Sequence, residues 1–165
     1  MYYREMSQEE VNAYISKLSH PSEDFKYFLR QYVTGSAWGR SRGEADTKVW
    51  GKLKGDELEV AKNIIISELE IVQDDSYIIA IGHFHDLKAI PVLKKIIENS
   101  ESMVIKLVSA KVLYDWVGYD DYLGMLEDAC RNSDVSLHNY LHMFIEEYIK
   151  GLSSDKREYF TSLVR

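Results

Sequence analysis

Apolar side chains return every three to four positions along most of this chain. Val11, Tyr14, Ile15 and Leu18 mark one such face, and Phe25, Phe28, Leu29, Tyr32 and Val33 follow the i, i+3, i+4, i+7, i+8 spacing of a second. Ala61, Ile64, Ile65 and Leu69, with Val72, form a third. A helix turns about 100° per residue, so each set gathers on one side as an amphipathic stripe. Polar residues supply the boundaries. Ser7-Gln8-Glu9-Glu10 has the form of a capping box, in which the Ser7 hydroxyl accepts the Glu10 N–H and the Glu10 carboxylate reaches back. A second helix is expected to begin after His20-Pro21-Ser22 and to stop at Gly35.

Further helices are expected from Asp56 to about Val72 and near 75–85, 88–99, 102–117, 120–131, 135–150 and 154–164. Turn signals separate them: Asp74-Asp75, His85-Asp86, Asn99-Ser100, Gly118, Asn132-Ser133-Asp134 and Gly151 to Ser154. No segment sustains period-two alternation, so the pattern needs no strand. Helices joined by short turns are expected to pack as antiparallel neighbours. One stretch breaks the rhythm: the first half of SAWGRSRGEADTKVWG, Ser36 to Gly51, has no period. The chain is therefore expected to be one domain over 1–165. Residues 1–35 form an N-terminal helix pair, 36–55 an irregular loop, and 56–165 a run of helical repeats.

An offset of 32 residues brings Ile81 onto Leu113, Phe84 onto Trp116, Ile90 onto Tyr122 and Leu93 onto Met125. Backwards, Ile96 and Ile97 fall on Ile64 and Ile65. Large apolar residues meet each other throughout, as in an α-solenoid. The segment IIAIGHFHDLKAIPVLKKII, Ile78 to Ile97, resembles a HEAT repeat. Gly82, Asp86, Ala89, Ile90, Pro91 and Leu93 stand at the positions of its small helix-ending residue, its turn aspartate, its Ala-Ile-Pro and its leucine. Ser102 to Arg131 is a poorer copy with no proline in its turn, and the resemblance extends over residues 56–150. It implies an all-α fold of antiparallel helix pairs, stacked as a short HEAT-like α-α superhelix with second helices on the concave side. It carries no catalytic residue.

Composition narrows the function classes. The 165 residues are 45% hydrophobic, enough for a buried core. Net charge is −7, a poor match for nucleic acid, whose affinity rests on phosphate neutralisation, and a better one for a basic protein. The single cysteine, Cys130, cannot close an intrachain disulfide, as expected of a reducing compartment. MYYREMSQEE has no apolar signal region and no run approaches a membrane span, so a cytoplasmic protein without a membrane partner is expected. Twelve tyrosines fit packed surfaces that meet water or a partner.

Candidate chemistry is sparse. His83 and His85, with Asp86 beside them, have the look of metal ligands. The plainer reading makes Asp86 a helix cap, Pro91 a first-turn residue and Phe84 the inward side chain that leaves both histidines outward. His138 and His142, four apart with Glu146 four further on, also share a helical face. The zinc-protease pattern needs Glu after the first histidine, and Asn139 stands there. Neither pair is read as a metal site. Trp38, Arg40 and Arg42 in the irregular loop, Lys94 and Lys95, and Glu127 and Arg131 beside Asp128, are candidate partner contacts. Cys130 is read as a buried structural thiol. No phosphate loop, nucleophile elbow or CxxC occurs.

The sequence thus favours a noncatalytic protein-binding module without cofactor. One concrete form is a small acidic bacterial immunity-type protein that masks a basic partner. The alternative is an enzyme on a HEAT-like scaffold, either metal-dependent or of DNA-repair type.

Overall fold

A computed structural model describes residues 7–33 and 47–164. Among them every regular element is helical, and the fold is all-α. The α-helices are α1 (Gln8–Ile15), α2 (Glu23–Phe28), α3 (Gly55–Leu69), α4 (Asp75–Phe84), α5 (Ile90–Asn99), α6 (Met103–Val117), α7 (Asp121–Asn132), α8 (Val135–Ile149) and α9 (Ser154–Leu163). Among the described residues no helix is long and apolar enough to cross a membrane. The chain divides into two compact units, Met1–Val92 and Leu93–Arg165.

Local chemistry sets the helix ends. Both halves of the Ser7–Glu10 capping box form: the Ser7 hydroxyl accepts the Glu10 N–H at 3.2 Å, and Glu10 accepts the Ser7 N–H at 2.8 Å. The Ser22 hydroxyl accepts the Phe25 N–H at the start of α2. Its N–H and O–H also donate to the Glu57 carboxylate at 2.5 and 2.8 Å, pinning α2 to α3. Asp74, Ser102 and Asp134 cap α4, α6 and α8 by the same device.

The first unit closes around aromatic rings. Phe25, Phe28, Leu29, Tyr32 and Val33 are all buried, as their spacing requires. Beyond Phe28 the helix widens into a π turn, Leu29–Val33, which the periodicity did not reveal. Only part of the expected loop is irregular in the described residues. Thr47–Gly51 is a short 3-10 helix because Val49 and Trp50 are buried and anchor it. Trp50 lies 4.0 Å from the Tyr32 ring, 5.2 Å from Phe28 and edge-on to Phe84 at 4.8 Å. The remainder of the expected loop, and the Gly35 stop, lie outside the described residues. Helix α3 packs on α2 and α4, burying Ala61, Ile64, Ile65 and Leu69.

In the second unit α7 and α8 pack on each other, and each also meets α6 and α9. Leu107, Ala110, Leu113, Tyr122, Leu126 and Leu141 are at most sparingly exposed and form its centre. The helix expected over 88–99 begins instead with a 3-10 turn, Leu87–Ala89, and becomes α-helical at Ile90. Asp86 caps that tighter turn, and Pro91 falls in the first turn of α5, where its missing N–H costs nothing.

Candidate functional site

The turn after α4 carries the first histidine pair. His85 ends the helix in the left-handed conformation, φ 49°, with its N–H on the Ile81 carbonyl at 3.1 Å. Phe84 turns inward onto Trp50, and His83 and His85 on either side are exposed. Asp86 is committed elsewhere. One carboxylate oxygen accepts the Lys88 N–H at 3.0 Å and the other lies 3.9 Å from the Lys62 ammonium. Lys62 also holds Glu59 at 2.8 Å, and Lys88 lies 3.8 Å from Glu59. Two cations and two carboxylates thus tie the turn to α3.

The second pair lies on α8, with His138 half-buried and His142 exposed. Glu146, one turn on, accepts from the Arg157 guanidinium of α9 at 3.2 Å. Among the described residues, no three His, Cys, Asp or Glu side chains gather so as to hold a metal. Beside Glu146 and Arg157 an open groove of ≈ 460 Å³ is lined further by Ser154, Glu158, Thr161 and Ser162. Neither histidine nor cysteine reaches it to activate a hydroxyl.

The fold does bring Glu127 and Arg131 together, one turn apart on α7, and it adds a third member. Arg131 donates through Nε to Glu127 at 2.9 Å and through Nη2 to the Tyr159 hydroxyl at 2.8 Å. The same hydroxyl donates to Glu127 at 2.5 Å, and the guanidinium sits 6.0 Å from the Tyr159 ring centre. The Tyr159 hydrogen bond, and then Arg131, hold the Glu127 carboxyl below the usual carboxylate range. Tyr159 comes from α9, and nothing local in the sequence pairs it with α7. The cluster leaves Glu127 and Arg131 side chains 42% and 51% exposed, a preorganised polar surface rather than a core network. Lys94 and Lys95 are exposed on α5. Trp38, Arg40 and Arg42 lie outside the described residues.

Cys130 is buried, and desolvation with the nearby Glu127 pushes its thiol up to about 11. That is the electrostatics of an inert thiol, not a nucleophile. A broader feature is the placement of charge. Asp115 to Glu147 holds eight carboxylates and one cation, Arg131, so this segment alone carries −7, the net charge of the whole chain. It spans the end of α6, all of α7 and most of α8. A chain-wide charge count conceals it; a count by helix finds it.

Compared with known proteins, the chain matches no family model, no curated protein and no solved structure.

Proposed function

We propose that this protein is a noncatalytic module that binds, and so masks, a basic protein partner. The observation that supports this is the confinement of the entire net charge to Asp115–Glu147. Carboxylates collected on neighbouring helices steer a cationic partner and repel acidic ones. The Glu127–Arg131–Tyr159 cluster adds a prearranged contact of the residue types enriched at hot spots, tyrosine and arginine. The HEAT-like reading of the helix pairs belongs to the same proposal, since stacked pairs present extended binding surfaces. An immunity-type protein against a basic toxin is one form of such a module. A DNA-repair enzyme on this scaffold would need a cationic groove for phosphate, and the α7–α8 segment carries the opposite sign.

The test is retention of matched basic and acidic proteins, of similar size, on the immobilised chain at low and high salt. Basic proteins should be retained, less so as salt screens the charges. Equal retention of acidic proteins would remove the basis of the proposal.

A further inference from the structure

Helix α8 carries His138 and His142 four residues apart. That spacing puts two side chains on one helical face, with Cβ atoms about 5–6 Å apart. The backbone beneath them is held at both levels. The Asp134 carboxylate accepts the Leu137 N–H at 2.8 Å, and the His138 N–H donates to the Asp134 carbonyl at 2.9 Å. Leu141, Ile145 and Ile149 bury the inner side of the helix in the second unit. His138 is half-buried beside that stripe, and His142 is exposed. Among the described residues neither imidazole is engaged by another protein group. The histidines of the turn after α4 differ. His83 and His85 are two apart, a spacing at which helical side chains do not face each other, and the inward Phe84 separates them.

We propose that His138 and His142 form a two-point site for a late first-row divalent ion, Cu²⁺, Ni²⁺ or Zn²⁺. A neutral imidazole offers one nitrogen lone pair, and two such nitrogens one helical turn apart can close on a single ion. Imidazole suits these ions, whereas Mg²⁺ and Ca²⁺ call for oxygen ligands. Among them Cu²⁺ should bind most tightly. No third His, Cys, Asp or Glu gathers with the pair among the described residues. Glu146 lies two turns from His138 and pairs with Arg157 at 3.2 Å. The chain therefore supplies two ligands and water the rest, which makes this an exchangeable surface site and not a closed structural centre. The inference is independent of the basic-partner reading, since the ion would bind whether or not a protein docks.

Titration of the full chain with Cu²⁺ alone tests this, read by calorimetry and by the imidazole C–H resonances. One ion should bind per chain at the pair, and the paramagnetic ion should broaden His138 and His142 before His20, His83 and His85. His142→Ala should weaken binding at least about tenfold, because closure by the second nitrogen is an intramolecular step that the variant loses. The double variant His142→Ala/Met143→His keeps five histidines but sets the second one five residues from His138, off the shared face. It should bind as weakly as His142→Ala. Both changes fall at exposed positions, and unchanged circular dichroism would show the helices intact. Wild-type affinity in either variant would overturn the proposal, as would broadening that begins at His83 and His85. Should a variant lose its helical signal, the wild-type resonances decide alone, and equal broadening of all five histidines would mean that the pair is no site.

Discussion

The Tyr122 hydroxyl donates to the backbone carbonyl of Tyr148 at 2.5 Å, from α7 into the last turn of α8. The first unit has a comparable bond: the Tyr77 hydroxyl of α4 donates to the Tyr32 carbonyl at 2.6 Å, in the π turn that follows α2. Both donors are fully buried. The last four carbonyls of a helix have no partner within it, and a buried one must find a donor elsewhere. Tyr122 supplies that donor near the end of α8 while its ring fills the core. In each unit one tyrosine hydroxyl therefore joins two helical segments through a buried hydrogen bond.

Replacing Tyr122 with phenylalanine keeps the ring and removes the donor. The orphaned carbonyl should cost about 1–3 kcal/mol at neutral pH. In a chain of this size that lowers Tm by about 2–12 °C. The pH dependence is a sharper test. Burial, and then the Asp115 carboxylate, hold the Tyr122 hydroxyl well above the ordinary tyrosine value of 10.0. The native state therefore keeps a proton that the unfolded chain releases above that value, and stability falls as pH rises beyond it. Tyr122→Phe should be less stable at pH 7 but lose less between pH 9 and 11. Urea unfolding across that range measures both, and parallel curves for the two proteins would contradict this account.

His85 occupies a conformation that favours glycine, as Gly118 does at the end of α6, φ 69°. The left-handed region is strained for side chains branched at Cβ and easier for Asn, Asp or His. His85→Val should therefore lower stability by roughly 1–2 kcal/mol, whereas His85→Gly should be neutral or mildly stabilising. Equal losses in the two would mean that the imidazole contributes more than its backbone does.

Most of the helices were legible because their stripes carry large apolar residues at strict spacing. Phe25, Phe28, Leu29, Tyr32 and Val33 show a pattern whose burial admits one orientation. Their caps were legible too, since Ser7, Ser22, Asp74 and Asp134 each stand at a start with a free donor three residues on or fewer. The π turn was not: it changes the hydrogen-bond register without changing which side chains are apolar. The left-handed cap at His85 was hidden because glycine, the usual marker, sits three residues earlier at Gly82. At the candidate site the i, i+4 pair of Glu127 and Arg131 was visible, but Tyr159 reaches it only through the packing of α9 on α7. The exposed Phe144 on α8 was misleading in the sequence. Tyr140 and Phe144 share a helix with Leu141 and Ile145, so all four read as a single broad core face.

Cys130 offers a simple probe of the second unit. The residue is 4% exposed, and desolvation, with Glu127 adding to it, raises the thiol from 9.0 to about 11. Two pH units of separation mean roughly a hundredfold less thiolate near pH 8 than in an unperturbed thiol. Native protein should react with Ellman's reagent at least that much more slowly than protein unfolded in urea. A rapid reaction without denaturant would show that the unit opens, or that the thiol is not buried.

Asp75 stands in the first turn of α4 directly after the cap Asp74, whose carboxylate accepts the Ser76 N–H at 2.9 Å. Partial burial, followed by repulsion from Asp74, raises the Asp75 carboxyl above its ordinary value of 3.8. A raised carboxyl acts against folding at neutral pH. Above the folded value both states are ionised, and the native state bears an extra cost of holding the charge; below 3.8 both are protonated and that cost is gone. Between the two, stability rises as pH falls. Asp75→Asn removes the charge while keeping the side chain's size and a polar carbonyl. It should raise Tm at pH 7, with the gain shrinking as pH approaches 3.8 and the wild-type carboxyl takes up its proton. Thermal unfolding of both proteins from pH 3 to 7 checks this. A variant less stable than wild type at pH 7 would show that the negative charge at the helix N-terminus outweighs the cost of its burial.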